Sequence, residues 1–404
     1  MLDNGKAEGA RKIKQIEKYC LRDIAIVSQG FTFSRSYQGK KNLKWNYFKV
    51  ADIGLNPNSK YLTNAINTIS DITMEEIGAL PFPKGSIVFP RVGAALFNNN
   101  KKILAQDGVV DDNVLVLTVT DTSKCWHEFL YYYLQGIPLA KWCNSGLVPV
   151  INTKTVLSQM VFLPPLPEQQ KIAAILSTQD KVIELKEKLL VQKQQQKKYL
   201  MQQLLTGKKR LPGFCEKWTR KQLGELFENR VEINRSDLGL LAITSTRGIL
   251  PRDCLDLKDN SSEDKSKYLR ICPGDIGYNT MRMWQGVSAY SEYEGIVSPA
   301  YTILAPMEGV YSRYFAYLFK TQSVIFSFYR FSQGLVDDTR NLKYENFKKI
   351  SVSIPSKVAE QRAIVQILST ADHEIDLLQK SIEAEKQKKK ALMQLLITGK
   401  VRRK

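Results

Sequence analysis

The chain has 404 residues, too many for one ordinary core and enough for two or three domains. Apolar residues make up 43% and charged residues 25%, which excludes wholesale disorder, and no run reaches the ~18 apolar residues that a membrane span needs. Lys plus Arg number 59 against 40 Asp plus Glu, so the net charge is +19 and the expected partner is a polyanion, of which DNA is the commonest.

Residues 1–18 are polar and mixed in charge, unlike a signal peptide or a hydrophobic anchor, and are read as an N-terminal extension. The six cysteines, Cys20, Cys125, Cys143, Cys215, Cys254 and Cys272, are scattered without a C-x-x-C pair, as expected of reduced thiols in a cytoplasmic protein.

The stretch 19–164 reads as a first globular head of short β-rich runs bounded by Gly, Pro and Asn, with one or two helices. Its candidate DNA contacts lie on loops: Arg35, Lys40, Lys41, Lys44, Arg91, the run Asn98, Asn99, Asn100, Lys101 and Lys102, and Asn152 with Lys154. Arg suits the two acceptors of guanine and Asn or Gln the acceptor–donor pair of adenine, whereas Lys holds phosphate. Trp45 sits beside this polar cluster and is read as a core or rim anchor.

Pro164, Pro165 and Pro167 then mark where extended chain gives way to a helical arm, 165–209. The arm is rich in Leu, Gln, Lys and Glu and ends at Thr-Gly-Lys, with Gly207 placed as a C-terminal cap. Apolar residues recur every seven positions, at Leu176, Ile183, Leu190 and Leu204, with Lys197 in the remaining slot. A sustained seven-residue repeat predicts a coiled coil. At 1.5 Å per residue, 38–40 residues make a rod of about 58 Å.

The second head, 210–355, repeats the outline of the first. PKGSIVF at 83–89 resembles CPGDIGY at 272–278, GVV at 108–110 resembles GIV at 295–297, and EFLYYYL at 128–134 resembles YFAYLF at 314–319. Its candidate contacts are Arg247, Arg252, Asn279, Arg282, Gln285, Arg340, Asn341 and Lys343, with Trp284 a further anchor and Asp337 with Asp338 a turn or cap.

The second arm, 356–404, matches the first without a gap at a spacing of 192 residues. Between 168–210 and 360–402, 22 of 43 positions are identical, which establishes a duplication. Its seam is Leu368, Ile375, Ile382 and Leu396, with Lys389 in the slot of Lys197. A lysine at one seam position is either a register device or a side chain snorkelling to solvent near a fraying end. The fold expected is therefore α+β: two globular target-reading domains joined by two long antiparallel coiled-coil helices, with a pseudo-twofold repeat.

Catalytic signatures are missing. The histidines are only His127 and His373, and Cys125 with His127 lacks a second pair to complete a metal site. No G-x-G-x-x-G or phosphate loop occurs, and Pro164-Pro165 lies in the wrong setting for an amino-methyltransferase tetrapeptide.

LPPLPEQQKIAAIL, LMQQLLTGKKRLPGF, the second EQRAIVQIL and LMQLLITGK, together with RMWQGVSAYSEYEGIVSPAYTIL at 282–304, resemble the specificity subunit of type I restriction–modification systems. That resemblance implies two target-recognition domains reading a split, asymmetric site in double-stranded DNA. It implies arms that set the gap and dock two methyltransferase subunits, with restriction motor and nuclease subunits joining. S-adenosylmethionine, ATP and Mg would belong to those partners, with no cofactor, metal or catalytic residue in this chain. The first head matches through FPRVG at 89–93 more loosely than the second, and Pro355 at the start of the second arm falls one residue out of step. The alternatives are a methyltransferase or nuclease with a cryptic site and a purely structural coiled-coil scaffold.

Overall fold

The computed structural model describes residues 16–55, 59–144, 146, 148–244, 248–254, 264–334, 336–337 and 339–399. The chain divides into two units, Met1–Leu189 with Gln379–Lys404 and Leu190–Leu378. Each unit thus combines one globular head with a stretch of each of two long helices, Leu166–Leu204 (39 residues) and Val358–Ile397 (40 residues). The fold is α+β, with the two-unit repeat that the duplication predicts.

In the first unit, a five-stranded sheet runs in the order Ala25–Gln29, Val114–Val119, Ile87–Pro90, Lys102–Leu104, Tyr61–Leu62. Val114–Val119 is β-branched and Leu-rich and buried over its first four residues, as suits a strand covered on both faces. A three-stranded sheet of the same head runs in the order Asn67–Ile69, Trp45–Phe48, Val109–Val110. Gly30 ends Ala25–Gln29 where a Cβ would stand 2.3 Å from the carbonyl oxygens of both Val110 and Asp111, so only glycine fits.

The second head keeps four of these strands in the same order: Phe227–Asn229, Tyr301–Pro306, Ile276–Asn279, Ser288–Tyr290. The sequence matches between the heads fall on Ile87–Pro90 with Ile276–Asn279, on Val109–Val110 with Gly295–Val297, and on the helices His127–Gln135 with Ser312–Leu318.

Each head is closed by its own ends. Glu17–Cys20 pairs antiparallel with Met160–Leu163, and Thr219–Gln222 with Ser351–Ile354, so chain entering and leaving a head meets at one edge. The long helices begin at once beyond these edges. Buried Gln169 donates Nε2 to the carbonyl of Pro164 (2.8 Å), and buried Gln361, 192 residues on, donates to that of Pro355 (3.1 Å). Gly207 and Gly399 terminate the helices at positive φ, 69° and 72°.

Within the first unit the two helices run antiparallel. Gln179 Nε2 reaches Glu385 Oε2 at 2.7 Å, and seven residues on, Lys186 Nζ reaches Ser381 Oγ at 2.8 Å, so one number rises as the other falls. Within the second unit Lys193 pairs with Glu374 (2.7 Å), Lys197 with Asp372, and Arg210 with Glu360 (2.7 Å), again antiparallel. Of the seam residues, Leu176, Ile183, Leu204, Leu368 and Ile382 are buried, while Leu190, Ile375 and Leu396 are half-buried. The heads share this burial: Leu176 belongs to the first head's core, against which Leu396 packs, and Leu204 and Leu368 belong to the second's. No helix among the described residues is long and apolar enough to cross a membrane.

Candidate nucleic-acid interface

The expected contact residues separate by what already holds them. In the first head the segment 31–49 carries Arg35, Lys40, Lys41, Lys44 and Lys49 without one acid. The first four are exposed. Lys40 lies over the Tyr37 ring (5.6 Å), Lys44 over Trp45 (5.1 Å) and Lys49 over Phe33 (5.6 Å), so aromatic faces support the cations without neutralising them. Lys44 is the exception in charge, since it pairs with Asp71 at 2.8 Å. Trp45 donates to that same carboxylate at 2.8 Å, and the two donors hold the Asp71 carboxyl below its ordinary range. Trp45 is thus a rim anchor, half-buried, fixed by its indole N–H.

Lys101 must be removed from the interface. It is 2% exposed and donates to Asn99 Oδ1 (2.6 Å) and the Ile137 carbonyl (2.9 Å). Burial pushes its ammonium down to about 7. Lys102 is equally buried and reaches the Ser59 carbonyl. A run of Asn and Lys looks like a solvated loop in sequence, but here it turns inward because Asn99 adopts a left-handed conformation (φ 54°) and Lys102 starts a core strand. Asn99 also accepts from the Leu139 N–H, so its side chain is committed. Asn100 is half-buried, and Asn98 remains exposed. Asn152 is exposed, but its Oδ1 caps a short helix by accepting from Lys154 N–H (2.9 Å). Lys154 is exposed, and Arg91 is half-buried with Nη1 3.4 Å from the Asp112 carbonyl.

In the second head Arg282, Gln285 and Lys343 are exposed. Arg282 and Gln285 flank Trp284, whose indole donates to the Met281 carbonyl (3.0 Å) and whose ring meets Tyr329 edge-on at 6.1 Å. Arg340 is held by Asp337 (2.8 Å) and the Tyr329 hydroxyl (2.9 Å), with its guanidinium 4.0 Å from the Tyr329 centroid. Phe326 and Phe331, on the same helix Gln322–Phe331, are exposed, which makes this an aromatic and cationic surface. Asn279 spends Oδ1 on the Met281 N–H (2.9 Å), and Asn341 is bridged through its backbone to Gln333. Arg252 is half-buried in the turn Arg252–Cys254. Arg247 and Asp338 lie outside the described residues.

Sequence reasoning missed the joints between heads and helices. Asp180 accepts from the Tyr132 hydroxyl at 2.6 Å and from Lys389 Nζ at 2.6 Å. Asp372 accepts from the Tyr317 hydroxyl at 2.7 Å and from Lys197. Asp180 and Asp372 are 192 residues apart, as are Lys197 and Lys389, so each unit builds one Tyr–Asp–Lys clasp from the repeat. The seam lysines therefore do not snorkel. Each answers an acid on the opposite helix, with a tyrosine of the head as third member. Burial, then the facing carboxylate, raises both phenols above their ordinary range. The signal was present in the sequence as an Asp kept at the same place in both arms and as the tyrosines of each aromatic helix.

Among the described residues, no group of three or more His, Cys, Asp and Glu is placed to hold a metal ion. Cys125 is buried, which pushes its thiol up to about 12, and burial lowers the neighbouring His127. The tyrosines of the head helices and the buried lysines serve packing and joints.

Residues 13–193 and 264–386 match the family described as type I restriction modification DNA specificity domain. Among solved structures, the chain is similar to a type I restriction–modification system S subunit from M. genitalium, with 15% identity, 96% of this chain and 97% of that chain covered, and a TM-score of 0.58. It is also similar to a chain from a structure titled for complex assembly and conformational transition of the type I R-M system, with 13% identity, coverage of 95% and 97%, and a TM-score of 0.55. At these identities the structures speak for the fold.

Proposed function

Because the chain belongs to the family of type I restriction–modification DNA specificity subunits, we propose that its two heads read the two parts of one split, asymmetric DNA site. The supporting observation is the contrast between closely repeated helices and divergent heads. The helices share 22 of 43 positions, whereas the heads share strand order but present different side chains. A basic segment backed by aromatic rings marks the first head, and an Arg–Tyr–Trp surface with exposed Phe marks the second. Heads that differ in this way suit two different half-sites.

The helices would dock two methyltransferase subunits. Leu185 and Leu377, 192 residues apart, are exposed at 53% and 52%, and apolar side chains repeated on both helices suit two copies of one partner. S-adenosylmethionine, ATP and Mg would act in the partner subunits, including the motor and nuclease, and this chain would supply address rather than chemistry.

The test is to map methylated adenines in the host genome with and without this gene. A split consensus that disappears with the gene supports the reading, and methylation unchanged by the deletion refutes it. Lengthening the first helix near Gln194 should then alter the gap between half-sites and leave their sequences intact.

A further inference from the structure

Each unit carries a groove between the C-terminal part of one long helix and its head. In the second unit it is lined by Lys197, Lys198, Met201, Gln202 and Thr206, with Lys320 of the head, around about 490 Å³. In the first unit it is lined by Lys389, Lys390, Met393, Gln394 and Thr398, with Gln135 of the head, around about 540 Å³. The five helix positions correspond one to one at the spacing of 192. The heads diverged, but the groove beside each was kept.

The chemistry of the lining is one-sided. Lysines, glutamines and hydroxyls converge on both grooves, and no carboxylate lines either among the described residues. Lys197 and Lys389 have their charge answered by the clasp aspartates. Lys198 and Lys390 are exposed, and no ion pair engages either among the described residues. The arms as a whole, 165–209 and 356–404, carry +10 of the net +19 in under a quarter of the chain.

We propose that the two grooves are equivalent phosphate-holding sites for the DNA backbone, with Lys198 and Lys390 as the cations that meet it. This rests on the reading of the chain as a DNA specificity subunit. A feature kept identical beside two unlike heads must meet something identical at both. Phosphate is the same whatever bases each head reads, and it is held by Lys, Gln and Thr without reading sequence. An acidic segment of a partner protein is the competing occupant. Protein–protein interfaces are depleted in Lys, however, and these grooves are rich in it. The expected role is to anchor the duplex beside each head, leaving the loops to choose bases.

The test uses the full-length chain and a random-sequence duplex, with affinity measured at several KCl concentrations. Lys198→Gln and Lys390→Gln should each reduce the slope of log K against log[salt] by about 0.9, and the double variant by about 1.8, one phosphate per groove. Lys188→Gln, an exposed lysine of the first helix outside both grooves, should leave the slope unchanged. An unchanged slope in the double variant overturns the proposal. So does an equal loss in Lys188→Gln, which would make the effect one of net charge. So does loss of methyltransferase co-purification with the slope intact, which would assign the grooves to a partner protein. If instead the wild-type chain shows no split consensus while the slopes fall as stated, the sites stand and the specificity reading fails.

Discussion

Tyr132→Phe should destabilise the first unit more than Tyr317→Phe destabilises the second, although the two clasps share their connectivity. Each substitution deletes one hydroxyl and leaves a ring of the same size in place. What is lost is one hydrogen bond to a charged acceptor, worth about 1.5–3 kcal/mol. The surroundings decide where in that range each falls. The Asp180 side chain is 13% exposed, so water replaces the lost donor poorly and the cost lies near the top, about 2–3 kcal/mol. The Asp372 side chain is 41% exposed and readily rehydrated, so the cost lies at or below the bottom, about 1 kcal/mol. For units of this size about 1 kcal/mol moves Tm by 2–4 °C, giving a drop of about 4–12 °C against at most about 4 °C. Differential scanning calorimetry of the full chain reads both. Combining Tyr132→Phe with Lys389→Met should give a loss that departs from the sum of the single losses by at least about 0.5 kcal/mol, because both donors share one carboxylate. Equal losses in the two units, or strict additivity at Asp180, would refute the account of the clasp.

Two further outcomes follow from groups whose surroundings shift them. Glu385 is held down to about 2 by Lys186 and then by Gln179. Its folded-state affinity for a proton is below that of the unfolded chain, so its contribution is complete above about 4.5 and is lost as pH falls toward about 2. Glu385→Gln should flatten the acid limb of the first unit's stability in pH-dependent denaturation, and an unaltered limb would count against the pairing. Lys101→Met should lower stability, since it strands the Ile137 carbonyl and leaves Asn99 Oδ1 with the Leu139 N–H alone, while leaving the salt dependence of DNA binding unchanged; a reduced salt slope would return Lys101 to the interface.

The long helices were legible because their information is local. Gly207 and Gly399 stop them, proline precedes them, and a period of seven names their buried side. The strands common to both heads were legible through matched Gly-bounded runs such as those at 83–89 and 272–278. The extra edge strand Tyr61–Leu62 was not, because it is two residues long and pairs parallel with Lys102–Leu104, whose partner residues lie 42 positions on. The clasps were hidden for the same reason. Asp180 and Asp372 are ordinary helix-surface acids until tertiary packing sets a tyrosine and a lysine against each. Lys101 shows the limit of composition: its neighbours 98–100 are all Asn, yet one left-handed residue and one core strand turn the lysine inward.

The net charge of +19 pointed to DNA, and the loops of the heads were the natural place to look for it. The structure redistributes that inference. Many head cations are spoken for: Arg230 by Asp275, Arg235 by Asp237, Arg270 by Glu232 and Glu294, Arg340 by Asp337. The heads, 19–164 and 210–355, together hold +7, less than the +10 of the much shorter arms. On the proposed reading, attraction and selection fall on different parts of the chain. The arms, largely through the basic residues beyond the ends of their helices, hold more net charge than the heads, and they carry the same groove twice, which suits contacts indifferent to sequence. The heads carry near-balanced charge with a few cations held by rings and carboxylates in fixed geometry, which suits contacts that discriminate. Duplication followed by divergence of the heads alone yields that division: the arms and the grooves beside them stay repeated, and the surfaces of the heads do not.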